Sequence, residues 1–393
     1  MATYYVRPDG SDSNNGAASS TSGAWATLNK ALTVTSTSQN ASGIVGGDII
    51  YVAPGTYRRS SVINVAWTSP TSEVRIIGDP TATLVSWGAG VTAGAVMNTT
   101  YATNDNTLPS STYNLIDLQG RDYMTFENMG FASSGHCILA NTATSTNIKF
   151  KQCRFQGISA SQSVYAANSF GVSFFWTFER CVFSNKSNSN IEFGVQTSTT
   201  GSNYTLDITI DSCIFCAGSW ALTLDTFNNN GVYGRGNVEI FNCLFRGDYG
   251  IQSKLKTAAV PVKVRNCTFH TLTGVSLSAG TTNEISEDYN RFINCGTKYS
   301  GLTGGSNSKD GSDVMDWGLM WSWGMNVLPF APYPGGAADN AGTTDSGIAP
   351  TKDFYNRDFD ATPSVAPAEY LVTSTSSGGG LITHPGMTGG MRG

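Results

Sequence analysis

Apolar residues recur at every second position in six short segments between residues 123 and 269. The segments read YMTFENMGF, NIKFKQCRF, FWTFERCVF, DITIDSCIF, NVEIFNCLF and PVKVRNCTF, and a weaker copy, EISEDYNRF, follows them. Ile148 and Phe150, or Val262 and Val264, illustrate the spacing. Alternation of period two is typical of a β-strand with one buried face. The pattern therefore predicts a strand that is repeated along the chain.

The alternation changes phase near the end of each segment. Two polar or turn-tolerant residues, such as Lys151 and Gln152, precede a Cys, and a Phe follows two positions after that Cys. Asn is frequent in this bend, and Asn tolerates left-handed backbone angles. Each unit is therefore predicted to hold a strand, a short corner and a second strand.

The residue after the corner forms a column that measures the repeat. Its members recur at intervals of 24, 28, 32, 30 and 24 residues, and the next interval, to Asn290, is 23. They are Met129, Cys153, Cys181, Cys213, Cys243 and Cys267. The interval is one coil plus insertions of variable length, and stacked coils place like residues above one another. We expect an all-β fold, a parallel β-solenoid.

The cysteines fit the core of such a solenoid. Cys is a small and readily buried side chain, and the Phe two positions later is expected to form a stack beside it. The Cys213–Cys216 pair has C-x-x-C spacing, but it lies in a strand and not at the start of a helix. We expect reduced, buried thiols and neither a metal site nor a cofactor.

The segments YYVRPDGSDSNNG, WATLNKAL and GDIIYVAPGTY precede the repeats. Together with the repeats they resemble the right-handed parallel β-helix proteins of the pectate-lyase-like superfamily, over about residues 3 to 295. The resemblance implies a right-handed parallel β-helix. Trp25, Leu28, Ala31 and Leu32 line one face of a predicted helix that caps the open end of the solenoid. We expect an entry module over residues 1–60 and coils over 61–300.

The character of the chain changes in the remaining segment, residues 301–393. A linker-like run, GLTGGSNSKDGSD, precedes a span that contains Trp317, Trp321 and Trp323. This aromatic density predicts contact with another surface: a cap over the last coil, an intersubunit contact or a carbohydrate platform. Gly, Ala, Thr, Pro and Ser dominate beyond residue 335, which predicts an irregular extension that serves for attachment.

Charge and hydropathy exclude several partners. The chain of 393 residues has a formal net charge of -5 and no basic run, so we expect no nucleic-acid partner. It holds no apolar stretch of about 20 residues, so we expect no membrane span. The start, MATYYVRPDG, lacks the basic and apolar regions of a secretory signal. We therefore expect a protein that does not follow the general export route.

Enzymes of the resembled superfamily hold calcium with clustered aspartates beside a basic residue, or use GHG and RIK motifs. This sequence has scattered carboxylates and only a GHC at Gly135. One pair remains as a catalytic candidate: Glu179 and Asp211 lie two before the Cys column in adjacent coils. That places them about 5 Å apart, as in retaining glycosidases. An ordinary solvated ladder of charges is the alternative. Phe241 and Tyr249 are candidate sugar-binding aromatics.

Three classes of function stay open. We expect a non-enzymatic structural protein on a virion surface, made in the host cytoplasm, as a capsid decoration, a head fibre or a tail spike. Its partners would be capsid or tail proteins through the C-terminal segment, further copies in a homotrimer, and a polysaccharide. The first alternative is a polysaccharide depolymerase, either a lyase or a glycoside hydrolase. The second is a bacterial extracellular surface or filament protein.

Overall fold

A computed structural model describes most of the first 311 residues. The described ranges are 1–37, 43–59, 62–67, 70–87, 91, 100–104, 114–133, 135–140, 144–157, 162–168, 173–185, 189–195, 205–216, 219–226, 237–254, 261–270, 272–280 and 284–311. Trp317, Trp321 and Trp323 lie outside these ranges, so the interface role predicted for them stays a prediction.

Almost all regular structure in the described ranges is β-strand. One short helix, α1 (Leu28–Thr33), is present. The strands are β1 (Thr3–Val6), β2 (Ile49–Val52), β3 (Gly55–Arg59), β4 (Ile63–Asn64), β5 (Val74–Gly78), β6 (Thr100–Asn104), β7 (Ile116–Asp117), β8 (Met124–Glu127), β9 (Gly130–Ser133), β10 (Ile138–Ala140), β11 (Ser145–Lys151), β12 (Arg154–Gly157), β13 (Val164–Asn168), β14 (Phe174–Glu179), β15 (Val182–Asn185), β16 (Ile191–Val195), β17 (Leu206–Asp211), β18 (Ile214–Cys216), β19 (Trp220–Thr226), β20 (Val238–Phe241), β21 (Leu244–Arg246), β22 (Tyr249–Ser253), β23 (Val262–Arg265), β24 (Thr268–His270), β25 (Val275–Ala279), β26 (Ile285–Asp288), β27 (Arg291–Ile293), β28 (Thr297–Ser300) and β29 (Lys309–Gly311).

The strands form three parallel sheets that run along the solenoid. Sheet A has the order β1-β2-β5-β8-β11-β14-β17-β20-β23-β26. Sheet B has the order β29-β27-β24-β21-β18-β15-β12-β9-β6-β3, and sheet C has the order β28-β25-β22-β19-β16-β13-β10-β7-β4. Successive members of each sheet are about one coil apart in sequence. The predicted parallel β-solenoid is therefore confirmed.

The corner between sheets A and B has a left-handed backbone. The residue that precedes the Cys column has φ between +52° and +55° in every copy: Asn128, Gln152, Arg180, Ser212, Asn242, Asn266 and Tyr289. This conformation reverses the side-chain phase in a single residue. Its cost is lowest for Asn, which explains the frequency of Asn in the bend.

Two ladders of stacked phenylalanine rings fill the interior beside this corner. The ladder on sheet A consists of Phe126, Phe150 and Phe178, and a longer ladder lies on sheet B. Phe155 and Phe183 stack with ring centroids 4.8 Å apart and planes 5° apart. The same arrangement continues through sheet B along Phe131, Phe155, Phe183, Phe215, Phe245, Phe269 and Phe292. Phe178 of sheet A meets Phe183 edge-on at 5.6 Å, so the two ladders interlock. This stacking fixes the register between coils.

The cysteine column lies in the core, as predicted. All eight cysteines are free, and the five column thiols are fully buried. Burial raises the pKa of Cys153, Cys213 and Cys267, which keeps these thiols neutral. Sγ of Cys181 donates to the carbonyl oxygen of Phe150 at 3.2 Å, and Sγ of Cys213 accepts the backbone N–H of Cys181 at 3.3 Å. The thiols therefore serve as small polar links between coils.

The two ends of the described solenoid compare differently with the sequence predictions. The N-terminal side has the predicted helix, whereas the run after residue 300 contains a strand. Helix α1 is present at the N-terminal side, with Thr27 as its N-cap and a hydrogen bond of 2.9 Å from Trp67 Nε1 to Ala31 O. Its capping role stays a prediction, as do the domain limits at residues 60 and 300. The run predicted as a linker after residue 300 instead supplies β29, which pairs in parallel with β27.

Buried Glu287 joins this run to the last strand of sheet A. Tyr299 Oη donates to Glu287 Oε1 at 2.8 Å, and the Gly305 N–H and Ser308 Oγ donate to the same carboxylate, each at 2.5 Å. These bonds hold the run against the edge strand of sheet A.

Candidate carboxylate site on sheet A

The outward face of sheet A carries the predicted catalytic pair. Glu179, at the end of β14, is the direct neighbour of Asp211, at the end of β17, in the parallel ladder. Lys151 precedes them in the same column and Phe241 follows. Adjacent strands lie about 4.8 Å apart. The structure thus brings together the two carboxylates that the sequence pattern aligned.

Glu179 lies between two cationic side chains. Its Oε2 is 3.6 Å from Nζ of Lys151, and its Oε1 contacts Nη2 of Arg180. Arg180 reaches back because it occupies the left-handed corner, with φ of +54°. These two contacts hold the Glu179 carboxylate in a fixed position.

Asp211 has a different environment although it is one coil away. Burial raises the pKa of Asp211 to about 8, and the charge of Glu179 contributes in the same direction. Ser212 Oγ donates to Asp211 Oδ1 at 2.7 Å. The next residue in the column is the buried Phe241, an apolar neighbour that favours the neutral carboxyl. The neutral, protonated form of the Asp211 carboxyl is therefore favoured near neutral pH.

Other charged residues of this face form ordinary ion pairs between coils. Arg75 donates to both carboxylate oxygens of Glu127, at 3.0 and 2.9 Å, and Lys263 Nζ donates to Glu239 Oε1 at 2.9 Å. Such exposed pairs contribute little to stability. These pairs match the solvated ladder of charges, which is the alternative to a catalytic pair on this face. Such a ladder does not require a raised pKa at Asp211.

The two predicted sugar-binding aromatics offer little free ring surface. Phe241 is 7% exposed and lies between Asp211 and Arg265. Tyr249 is 37% exposed, but one ring face stacks on Trp220 with centroids 4.7 Å apart. The same ring lies against Gly274, where an added Cβ would come within 2.1 Å of it. Phe241 is thus better placed to desolvate Asp211 than to bind a sugar.

One aromatic residue of this face was missed by the sequence reasoning. Phe175 is 37% exposed and lies on β14 with Glu179. Its neighbours Phe174 and Trp176 are buried. The alternation in FFWTFE already indicated its outward direction, because Phe174, Trp176 and Phe178 occupy the inward phase.

Other titratable groups in the described ranges do not gather into a second centre. No group of three or more His, Cys, Asp or Glu in these ranges is arranged to hold a metal ion. Burial lowers the pKa of His270 to about 4 and raises the pKa of Cys216 to about 12, so both are neutral at pH 7. No described helix is long and apolar enough to span a membrane.

Comparison with known proteins agrees with the three-sheet solenoid. A profile of the family described as rhamnogalacturonase A/epimerase, pectate lyase-like, matches residues 20–237, which is more than half of the chain. The chain belongs to this family. No curated protein matches it. Family membership accounts for the fold and leaves the chemistry to be argued from the site, because one fold hosts many activities.

One solved structure shows the same architecture at low identity. Pectate lyase Pel9A matches with a TM-score of 0.50 and 14% identity, over 94% of this chain and 97% of that chain. A rhamnogalacturonan lyase matches with a TM-score of 0.42 and 13% identity, over 78% of this chain and 87% of that chain. ORF18 of Geobacillus virus E2 matches with a TM-score of 0.41 and 15% identity, over 69% of this chain and 54% of that chain. The Pel9A match shows the right-handed parallel β-helix fold.

Proposed function

We propose that the chain is a polysaccharide depolymerase that hydrolyses glycosidic bonds on the outward face of sheet A. The observation that carries the proposal is the contrast between two neighbouring carboxylates. Glu179 is held between Lys151 and Arg180, and burial raises the pKa of Asp211 to about 8. Neighbouring carboxyl groups in different environments, one of them with a raised pKa, are typical of the acid and its partner in enzymes.

The spacing of the pair favours a retaining mechanism. Glu179 and Asp211 are direct ladder neighbours on strands that lie about 4.8 Å apart. Such neighbours can bring their carboxyl groups to the ~5 to 5.5 Å that retaining glycosidases use. Protonated Asp211 gives its proton to the glycosidic oxygen while Glu179 forms a bond to the anomeric carbon. The bond between that carbon and the glycosidic oxygen breaks, and the leaving sugar departs as an alcohol. Asp211, now ionised, takes a proton from water, whose oxygen replaces Glu179 on the sugar.

Release of new reducing ends tests this proposal. The purified chain is incubated with rhamnogalacturonan, galactan, polygalacturonate and a bacterial exopolysaccharide. Glu179→Gln and Asp211→Asn should each lower the rate on the substrate that is cleaved by at least about a hundredfold. Glu127→Gln and Glu239→Gln, which change carboxylates on the same face, are the matched controls and should retain most activity. Equal rates in all four variants would refute the assignment.

A second candidate is the non-enzymatic virion surface role, or an extracellular structural role, expected from the sequence. The observation that favours it is the coil-to-coil ion pairing of Arg75 with Glu127 and of Lys263 with Glu239. Such a ladder suits a stiff, solvated rod whose face carries no reaction. This candidate predicts no reducing ends from any polysaccharide and stable attachment to capsid or tail proteins.

A further inference from the structure

Phe175 is an exposed aromatic residue on the outward face of sheet A. Charged residues of the same face form ion pairs with each other. In the described ranges, only Phe175 and Tyr249 are aromatic side chains with large exposed surface, each at 37%. Tyr249 is stacked on Trp220, whereas Phe175 lies beside Asp207 of the next coil. An exposed phenyl ring beside a carboxylate presents one apolar face and one hydrogen-bond acceptor.

Phe175 is aligned with the proposed catalytic pair. It shares β14 and its outward phase with Thr177 and Glu179, and its distance from Glu179 along the strand is about 13 Å for four residues. The neighbouring strand β17 repeats the arrangement in register. The strip thus formed consists of Phe175, Thr177 and Glu179 beside Asp207, Thr209 and Asp211.

The strip runs across the sheet and not along the solenoid. Along the axis, the position after Asp211 is the buried Phe241, and Arg265 follows with its guanidinium bonded to Ser286 at 2.6 and 2.9 Å. The Phe241 ring is buried, and the Arg265 guanidinium is engaged in hydrogen bonds within the protein. Across the sheet, the threonine hydroxyls lie between the aromatic ring and the carboxylates. A linear ligand with hydroxyl groups on every unit fits the second direction.

We propose that Phe175 is the stacking platform of a glycan subsite, with Asp207 accepting hydroxyl groups from the same sugar. This rests on the proposed function and adds the substrate direction and class. A neutral sugar fits, because the C–H face of its ring packs on the phenyl group and its hydroxyls donate to Asp207. A uronate at this position would place a second negative charge beside Asp207, which costs binding energy.

Affinity electrophoresis tests the subsite without requiring turnover. Glu179→Gln protein is run in native gels that contain galactan, β-glucan, arabinoxylan or polygalacturonate. We expect retardation by at least one neutral polysaccharide, and Phe175→Ala added to Glu179→Gln should raise the dissociation constant about tenfold. Phe175→Trp should preserve binding. Tyr249→Ala, which removes the other exposed aromatic of equal exposure, is the control and should change binding less than twofold.

The outcomes separate this inference from the proposed hydrolysis. If reducing ends are released but Phe175→Ala binds like its parent, the subsite is wrong and the hydrolase proposal stands. If a neutral glycan binds through Phe175 but is not cleaved, the subsite stands and the hydrolase proposal fails. Retardation by polygalacturonate alone, or by no polysaccharide in the panel, contradicts the subsite.

Discussion

The backbone N–H of Cys267 donates a hydrogen bond of 2.9 Å to Oδ1 of Asn290, one coil further along the solenoid. In the preceding coils the equivalent acceptor is a thiol: Cys213 N–H donates to Sγ of Cys243 at 3.4 Å. Asn290 Nδ2 also donates to Val264 O at 3.0 Å, as Sγ of Cys267 does to Ile240 O at 3.7 Å. The amide of Asn290 therefore continues the thiol column with the same two bonds.

Replacing Asn290 tests this equivalence. Asn290→Ala leaves the Cys267 N–H without its acceptor and takes one donor from buried Glu287, so the free energy of unfolding should fall by about 3 kcal/mol. Asn290→Cys restores the two column bonds and loses only the bond to Glu287, so its loss should be about half as large. Urea unfolding measures both variants. Equal losses for Ala and Cys would mean that the column bonds do not matter.

Asp211 should make stability depend on pH. Its folded pKa of about 8 lies above the ordinary value near 3.9, so the folded chain binds more protons between these two values. The free energy of unfolding therefore falls as pH rises through this window. Asp211→Asn removes the penalty and should stabilise the protein by on the order of 2 kcal/mol at pH 8, with no gain at about pH 4.

Urea unfolding from pH 4 to pH 9 measures this effect. Asp248→Asn, which changes an exposed carboxylate, is the control and should show no such window. An Asp211→Asn protein that is less stable than the parent at pH 8 would show that the carboxylate is ionised and well solvated.

The same group should set the alkaline limit of hydrolysis. If Asp211 is the proton donor, kcat/KM should fall by about tenfold per pH unit above pH 8, because the donor loses its proton. Phe241→Ser opens the Asp211 carboxyl to water and should move this limit to lower pH. Initial rates of reducing-end release across pH 5 to 10 provide the measurement. If the pH above which kcat/KM falls is the same in Phe241→Ser as in the parent, Asp211 does not set that pH.

Gly274 is required by the Tyr249 ring. An added Cβ would lie 2.1 to 2.7 Å from three ring atoms, so Gly274→Ala should displace Tyr249 from Trp220 and cost about 1 to 3 kcal/mol. Urea unfolding measures the loss. In a Tyr249→Ala background the ring is absent, and adding Gly274→Ala should then cost nothing further. If Gly274→Ala costs the same free energy of unfolding in the Tyr249→Ala background, the added methyl group clashes with the backbone and not with the Tyr249 ring.

The architecture was predictable because its signal repeats. The Cys and Phe columns, the inward alternation and the break before Cys181 or Cys213 each occur once per coil, so accidental matches average out. The left-handed corner was predictable from Asn242 and Asn266, and Arg180 and Ser212 adopt it because the neighbouring coils impose it. The same register is enough to align Glu179 with Asp211, since both lie two positions before the Cys column.

The environment of each carboxylate was not predictable from that register. The contact of Arg180 with Glu179 depends on a side-chain direction that is set by the corner, and the burial of Asp211 depends on Phe241 in the next coil. The run after residue 300 reads as a linker because it is rich in Gly and Ser. It is held by the buried carboxylate of Glu287, which accepts hydrogen bonds from Tyr299 and Ser308, 12 and 21 residues away.

Detection of a covalent intermediate tests the central claim most directly. Asp211→Asn removes the acid of the first step as well as the base of the second, so the variant is given a dinitrophenyl glycoside of the cleaved sugar, whose leaving group needs no proton. The first step then proceeds while the second is slow, and the quenched protein should carry a glycosyl group. Mass spectrometry of its peptides should locate that group on Glu179. A quenched protein with no adduct despite turnover, or with the sugar on another residue, would contradict a retaining hydrolase built on Glu179 and Asp211.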